Sequence, residues 1–119
     1  MQNLKIVGIG TDIMEVTRFR RKPLKRHNMT FYNSIFSECE LKYCSKYVDP
    51  YPHLAGIFAA KEAVIKCTNA LLGMKDIEVI QDTYRKPNVI IRRGKKNIAI
   101  KISISHTRSI AIAIAILMS

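Results

Sequence analysis

The carboxy-terminal run of residues 110–116 constrains the fold most, because isoleucine and alanine alternate strictly along it. Successive side chains of a β-strand point to opposite faces, so the isoleucines share one face and the alanines share the other. Both faces are apolar, which predicts a central strand covered on both sides. The small alanine side chains would also allow a helix to pack closely against this strand.

A long helix is predicted for about residues 54–72, where strong helix formers dominate and no proline or glycine follows Gly56. Within it, Glu62 and Lys66 are four residues apart and share one face, with Phe58 one turn earlier. An exposed pair at this spacing stabilises a helix by only about 0.2–0.5 kcal/mol and is common. The spacing alone therefore favours an ordinary surface pair over a functional site.

Before this helix, the sequence predicts a strand over residues 4–10 that turns at 11–13. A basic helix or turn over about residues 15–25 follows, with Pro23 disturbing it. Ser37 and Glu40 form a capping box that opens a helix running to about Tyr47. Residues 49–52, which contain two prolines, predict a stiff loop before the long helix.

After the long helix, runs rich in isoleucine and valine predict strands at residues 76–81, 88–92 and 97–105. Turns at 82–87 and 93–96 would join them. The chain has 119 residues, enough for one domain with its own core, and we expect a single domain over residues 1–119. The predicted fold is α+β, with helices from roughly 15–72 packed on a largely antiparallel sheet.

Charge narrows the possible partners without choosing among them. The formal net charge is +11, and a basic segment without acidic residues comprises Arg18, Arg20, Arg21, Lys22, Lys25 and Arg26. Such a surface attracts nucleic acid, anionic membrane, phosphorylated small molecules or acidic proteins. Cys39, Cys44 and Cys67 lack metal-binding spacing and indicate thiols in a reducing compartment. We expect a cytoplasmic protein, or one in an organelle stroma if a transit peptide has been removed.

The sequence contains two candidate sites for chemistry, one at the first strand and one at a later hairpin tip. Gly8 and Gly10 are alternate residues on one face of the first strand, where close sheet packing is a better explanation than a phosphate loop. Asp12 follows at the predicted strand end, and by itself would be an ordinary helix cap. His106 lies in a polar hairpin tip, and no catalytic spacing around it is visible.

Taken together, three segments in order resemble the holo-(acyl-carrier-protein) synthase family, the small phosphopantetheinyl transferases. They span almost the whole chain: Gly8-Ile9-Gly10-Thr11-Asp12-Ile13 with Glu15 and Arg18, Phe58-Ala59-Ala60-Lys61-Glu62-Ala63 with Lys66, and Ser103-Ile104-Ser105-His106-Thr107. Members of this family transfer the phosphopantetheine arm of coenzyme A to a serine of apo acyl carrier protein in fatty acid biosynthesis. Adenosine 3′,5′-bisphosphate is released, and Mg²⁺ is required.

The resemblance implies roles for individual residues. Asp12 and Glu62 would hold the metal, and Lys66 would complete the catalytic set by contacting phosphate. Arg18, Arg20 and Arg21 would dock the acyl carrier protein. The residues implied to contact coenzyme A are Phe58, Lys61, Lys66, Lys86, Pro87, Ser105, His106 and Thr107. Family members are commonly homotrimers with the nucleotide in a cleft between neighbours, and we expect the same here.

Three positions depart from the family pattern and concern the placement of coenzyme A. Many relatives carry arginine where Ile57 stands and glycine where Arg85 stands, and often have glycine near Asn69.

The chemistry of these residue types agrees with the implied roles. Mg²⁺ prefers oxygen ligands, keeps several waters and uses one or two carboxylates with substrate phosphate, which Asp12 and Glu62 supply if the strand end meets the helix. A lysine one turn away can stabilise a transferring phosphoryl group. For the serine proton, a metal-bound water, Glu62 and Asp12 all remain candidate acceptors.

Two other classes of protein fit the size and charge. A small basic nucleic-acid-binding protein is the main alternative, although no helix-turn-helix, zinc spacing or aromatic-rich strand motif is present. A structural subunit with a dead site is the other, and the intact set of Asp12, Glu62 and Lys66 argues against it.

Overall fold

A computed structural model describes residues 5–93 and 99–119 of the chain. Its five strands are β1 (Ile6–Glu15), β2 (Ile77–Gln81), β3 (Pro87–Ile91), β4 (Ala99–His106) and β5 (Ile110–Met118). Its four α-helices are α1 (Thr17–Arg20), α2 (Met29–Ile35), α3 (Glu38–Cys44) and α4 (Tyr51–Cys67), and short 3₁₀ turns lie at Arg26–Asn28 and Met74–Asp76. Within the described ranges, no helix is long and apolar enough to cross a membrane.

The strands form two antiparallel sheets. Strands β1, β5 and β4 make a three-stranded sheet in that order, and β2 pairs with β3 in a separate hairpin. The α+β class with antiparallel pairing is therefore confirmed, but the expected single sheet is divided in two. Helix α4 packs across the three-stranded sheet and forms the centre of the core with it.

The prediction for β5 is confirmed in part. The strand is central, and α4 covers its alanine face, where Ala111, Ala113 and Ala115 are at most 2% exposed. The isoleucine face is not covered within one chain, so a single chain supplies the expected cover on one side only. Ile112 and Ile114 are 48% and 36% exposed, and α4 packs on the other side of the sheet.

Gly8 and Gly10 allow α4 to lie directly on β1. A Cβ atom at Gly8 would overlap the carbonyl oxygen of Cys67, and one at Gly10 would overlap that of Ala63. Real Cβ atoms do not approach backbone this closely, so any larger residue would push the helix off the strand. The packing explanation for the two glycines is confirmed.

The predicted turn at residues 11–13 is wrong, because β1 continues to Glu15. Thr11, Asp12 and Ile13 pair with the middle of β5, whose ladder supplies partners for their backbone groups. Asp12 is consequently held within a strand and not at the start of a loop.

The helix boundaries differ from prediction at the ends. The capping box of Ser37 and Glu40 is confirmed, but α3 ends at Cys44, before Tyr47. Helix α4 begins at Tyr51, because Pro52 lies in its first turn, where proline costs no hydrogen bond. It ends at Cys67, so residues 68–72 are not helical.

The basic stretch of residues 15–25 forms only the short helix α1, and Pro23 follows soon after it. The strands predicted in the second half agree within about two residues where they are described. The predicted turn at 93–96 and the start of the strand at Asn97 lie largely outside the described residues, which omit 94–98.

A buried ion pair joins α3, α4 and β2. The Lys61 ammonium lies 2.6 Å from Glu40 Oε1 and donates to the carbonyl oxygen of Ile35, and both charged side chains are fully buried. Glu40 also accepts backbone N–H bonds from Ser37 and Val79. Burial lowers the pKa of Lys61, and the Glu40 carboxylate opposes that shift. Lys61 is therefore a structural residue, which corrects its expected contact with coenzyme A.

We predict that Lys61→Met destabilises the protein by about 3–5 kcal/mol, because it leaves the Glu40 carboxylate buried without a counter-charge. Lys66→Met is the matched control on the same helix, since its side chain is 52% exposed, and it should cost at most about 1 kcal/mol. Urea unfolding at one fixed protein concentration measures both. Equal stability of the two variants would contradict the structural role of Lys61.

Candidate active site

The first cluster of predicted site residues lies where β1 crosses α4. Gly8 meets the helix at Cys67 and Gly10 meets it at Ala63, so the strand and the helix run in opposite directions. Two strand residues advance about 6.6 Å and four helical residues about 6 Å, so the two elements stay in step. Continuing this step, Asp12, the next residue on this face of the strand, lies opposite the helical turn of residues 59–63, which contains Glu62.

Asp12 is mostly buried and only partly satisfied. Its side chain is 15% exposed, and Oδ1 accepts a bond of 3.1 Å from Lys66 Nζ. The same ammonium donates to the carbonyl oxygen of Thr11 at 3.0 Å. The other carboxylate oxygen, Oδ2, is buried and has no hydrogen-bond partner within residues 5–93 and 99–119. A buried acceptor without a partner is costly, and one at this position is available to a ligand.

Glu62 lies on α4 between Phe58, which contacts α1, and Lys66, which contacts β1. Phe58, one turn before it, packs on Phe19 and lies 4.9 Å below the guanidinium of Arg18. Lys66, one turn after it, reaches Asp12. Because residues four apart share a helix face, Glu62 faces the same cleft. Phe58 is only 6% exposed, so its main contacts are with the core.

The donor set of this cleft fits a hard divalent cation. Its oxygen donors are the two carboxylates of Asp12 and Glu62, and one carboxylate oxygen is unpaired. Across residues 5–93 and 99–119, no group of three or more histidine, cysteine or acidic residues could hold a metal. A cation at Asp12 and Glu62 would therefore depend on water and substrate oxygens for its other ligands, as Mg²⁺ does.

In the basic segment of residues 18–26, Arg20 is held by an ion pair, whereas Arg18 and Arg21 are exposed. Arg20 forms two bonds of 2.9 and 2.7 Å to Asp49 and a third, of 3.0 Å, to the carbonyl oxygen of Arg108. This arginine lowers the pKa of Asp49 through hydrogen bonding. Arg20 therefore links α1 to the β4–β5 hairpin, which argues against a free docking role.

The second cluster surrounds a cavity of about 170 Å³, here called the histidine pocket. Its lining includes Tyr43, His53, Ile57, Gln81, Arg85, Pro87 and His106. The His53 ring stacks on Tyr47 with centroids 3.5 Å apart and meets His106 edge-on at 4.7 Å. Burial, followed by the nearby His106, lowers the pKa of His53, so this imidazole is neutral near pH 7.

A larger depression of about 480 Å³ adjoins the histidine pocket, and the two share Pro87 and Ile104. Lys86 and Lys101 line it. Two residues expected at the nucleotide end, Pro87 and His106, therefore lie together in the histidine pocket, with Lys86 in the adjoining depression.

Ser105 and Thr107 do not join His106 in that pocket. Ser105 lies on the opposite face of β4 and lines a cavity of about 230 Å³ with Thr11, Ile112 and Ile114. Thr107 Oγ1 accepts backbone bonds from Ser109 and Ile110, at 3.2 and 3.1 Å, and so shapes the hairpin tip. The Ser-His-Thr segment is thus distributed over two faces of the sheet.

The carboxylate cleft and the histidine pocket lie on different faces of α4. Ile57 lines the pocket, and Glu62 is five residues further along the helix. At about 100° per residue, their directions differ by roughly 140°. One chain alone therefore does not bring the two clusters into a single cleft.

The histidine pocket contains residues that the sequence analysis did not assign to a site. Among them are Tyr43 and His53, and Tyr47 stacks on His53 beside them. The signal available in the sequence was the spacing of Tyr43 and Tyr47, which places both rings on one face of α3 and its extension. Nothing local indicated that His106, which is distant in sequence, would meet them.

Comparisons with known proteins show the family to which the chain belongs. Residues 8–115 match the family model of the 4′-phosphopantetheinyl transferase superfamily. The chain is 42% identical to holo-[acyl-carrier-protein] synthase of Caldanaerobacter subterraneus, over 92% of this chain and 93% of that protein. It is 38% identical to the same enzyme of Chlamydia caviae, over 95% and 98%.

The fold also matches solved structures. The Bacillus anthracis holo-(acyl-carrier-protein) synthase in complex with coenzyme A superposes with a TM-score of 0.78 at 32% identity, over 96% of this chain and 97% of that one. The Helicobacter pylori enzyme in complex with coenzyme A gives 0.76 at 29% identity, over 92% and 98%. The chain thus belongs to the 4′-phosphopantetheinyl transferase superfamily and is an enzyme of the holo-[acyl-carrier-protein] synthase group.

Proposed function

We propose that this enzyme transfers the 4′-phosphopantetheine arm of coenzyme A to a serine of apo acyl carrier protein, in a Mg²⁺-dependent reaction that releases adenosine 3′,5′-bisphosphate. The observation that carries the proposal is the mostly buried Asp12, whose Oδ1 accepts from Lys66 and whose Oδ2 has no partner among the described residues. The relatives bound to coenzyme A support the donor substrate. The reaction would serve fatty acid biosynthesis.

Asp12 and Glu62 are the residues that would hold the Mg²⁺ ion. When bound, the ion neutralises negative charge on the pyrophosphate of coenzyme A as the P–O bond breaks. The fixed backbone of β1 keeps Asp12 in place, because its neighbours on both sides are paired with β5. Preorganisation of this kind lowers the cost of assembling charged groups around a substrate.

Lys66 would contact the phosphoryl group that is transferred. Its ammonium is half exposed and already lies at the cleft, 3.1 Å from Asp12. A phosphate oxygen entering the cleft can accept from this ammonium, which has three donors. The serine oxygen attacks phosphorus, and the serine proton passes to an acceptor for which Glu62 and Asp12 are the candidates from this chain.

Docking of the carrier is assigned to Arg18 and Arg21. Both are exposed, and Arg18 lies over Phe58, one helical turn from Glu62. An acidic carrier bound there would present its serine near the carboxylates, and the net charge of +11 would speed the encounter. Arg20 would act indirectly, through the salt bridge that fixes α1.

We infer that the enzyme is a homotrimer whose neighbours complete the site. The outer face of the three-stranded sheet exposes Ile9 (60%), Ile13 (63%) and Ile112 (48%), an apolar patch typical of an interface. A neighbour seated on this face would bring its histidine pocket towards the carboxylate cleft, which one chain does not do alone. The single catalytic domain and the cytoplasmic or stromal compartment remain predictions.

Intact-mass spectrometry tests the reaction directly. We predict that apo acyl carrier protein gains the mass of phosphopantetheine when incubated with the enzyme, coenzyme A and Mg²⁺, and that a chelator prevents the gain. Asp12→Ala and Glu62→Ala should each lower the rate at least about 100-fold, because each removes a metal ligand. Glu38→Ala, an exposed carboxylate on α3, is the control and should retain full activity.

Circular dichroism of the variants confirms that they are folded. Near-full activity of both Asp12→Ala and Glu62→Ala would overturn the metal assignment, and no transfer to several carriers by the folded wild-type enzyme would overturn the reaction.

We predict that Arg18→Glu raises the KM for the carrier about tenfold or more while the KM for coenzyme A stays within about twofold, because a repulsive charge replaces an attractive one at the docking face. Lys42→Glu, an equal charge change at an exposed position on α3, is the control. Steady-state kinetics at two salt concentrations measure the effect, which should shrink as salt rises. A carrier KM that is unchanged at both concentrations would exclude Arg18 from docking.

A further inference from the structure

Arg85 adopts a backbone conformation that usually belongs to glycine. Its φ is 62°, and among the described residues it is the only one other than glycine with a positive φ. The left-handed region is unfavourable for a residue with a side chain. A strained residue persists only where its surroundings determine it, and such residues concentrate at functional sites.

Asp82 fixes the turn in which Arg85 lies. Its side-chain Oδ1 accepts from the backbone N–H groups of Tyr84 and Lys86, both at 2.8 Å, and its carbonyl oxygen accepts from Arg85 N at 3.0 Å. Asp82 N donates in return to the carbonyl oxygen of Lys86 at 2.8 Å. Because four bonds define this turn, the strained backbone holds the base of the Arg85 side chain in a set position.

The Arg85 side chain lines the histidine pocket. Among the described residues around that cavity, it is the only lysine or arginine, and no aspartate or glutamate is present. No ion pair joins Arg85 to an acid within residues 5–93 and 99–119. The guanidinium therefore meets the pocket without a counter-charge among these residues.

The other residues described around the pocket contribute no lysine or arginine. Ile57, which is 2% exposed, contributes only apolar surface. His53 is neutral near pH 7, since burial lowers its pKa. Burial and the bond to Tyr47 raise the pKa of Tyr43, and the charge of Arg85 opposes that shift, which indicates that the guanidinium lies near this phenol.

We propose that Arg85 binds the phosphomonoester of the donor nucleotide and is the residue that selects coenzyme A over its form without the 3′-phosphate. A guanidinium offers a planar fork of donors that matches phosphate in a bidentate manner. The pyrophosphate of the donor is engaged at Asp12, Glu62 and Lys66, so the 3′-phosphate is the anion that remains for the histidine pocket. This inference rests on the proposed function and deepens it.

Arg85 and Ile57 reach the same cavity from different elements. The Arg85 backbone lies on the β2–β3 hairpin, whereas Ile57 lies on α4, and both line one cavity. A cation supplied from the turn can thus serve the cavity although the helix presents isoleucine.

Calorimetric titration of the full-length enzyme with adenosine 3′,5′-bisphosphate and with adenosine 5′-monophosphate tests the assignment. Arg85→Asn removes the cation, and asparagine tolerates the left-handed backbone better than most residues do. We expect it to weaken binding of the bisphosphate about 10- to 100-fold and to leave that of the monophosphate within about twofold. Arg93→Asn, an equal loss of charge at an exposed residue outside the pocket lining, should change neither.

Kinetics provide the second readout. With acyl carrier protein as acceptor, Arg85→Asn should raise the KM for coenzyme A about tenfold or more without raising that for 3′-dephospho-coenzyme A, and kcat should change little. Arg85→Lys should restore part of the loss, because lysine keeps the charge but lacks the fork.

Three results would overturn the inference: equal weakening of both nucleotides by Arg85→Asn, equal effects of Arg85→Asn and Arg93→Asn, or no binding of the bisphosphate by the wild-type enzyme. Arg85-dependent binding of the bisphosphate without transfer to any carrier would support this inference and contradict the proposed reaction. Transfer to a carrier that is unchanged in Arg85→Asn would support the proposed reaction and contradict this inference.

Discussion

The close contact between α4 and the three-stranded sheet is the constraint on which the rest of the structure depends. Gly8 and Gly10 remove the side chains that would separate β1 from the helix, and the alanines of β5 do the same on the next strand. The strand then continues past the glycines, and its next inward side chain is Asp12. Packing and chemistry are therefore linked, since the feature that seats the helix also sets Asp12 opposite the turn of Glu62.

The ion pair of Lys61 and Glu40 fixes the rotation of α4. Lys61 points into the core, where Glu40 and the carbonyl oxygen of Ile35 bind it. The next side chain, Glu62, is turned by about 100° and faces the β1 side. A buried pair of this kind costs desolvation and is weak evidence of net stability. Its contribution here is a defined orientation, which a purely apolar contact would determine less strictly.

Local patterns predicted the elements that depend on local physics. The sequence predicted the capping box at Ser37, the strand at residues 110–116 and the close packing at the glycines of β1. The resemblance identified the family. Contacts between distant residues could not be predicted. Lys61 was expected at the substrate from the family resemblance, and nothing in the local sequence shows that Glu40, in another helix, pairs with it. The isoleucine face of β5 was expected to be covered because alternation shows that a face is apolar without showing what packs on it. His53 and His106 meet only in the folded chain.

If two neighbouring chains complete one site, as proposed above, mixing two chains with different defects should restore activity. Asp12→Ala and His106→Ala chains, each first assayed alone, are unfolded together, refolded and assayed for transfer to acyl carrier protein. Random assembly joins an intact carboxylate cleft to an intact histidine pocket at one interface in four, so we predict recovery of up to about a quarter of wild-type activity. A mixture no more active than its separate parts, although mass spectrometry shows mixed assemblies, would contradict the shared site.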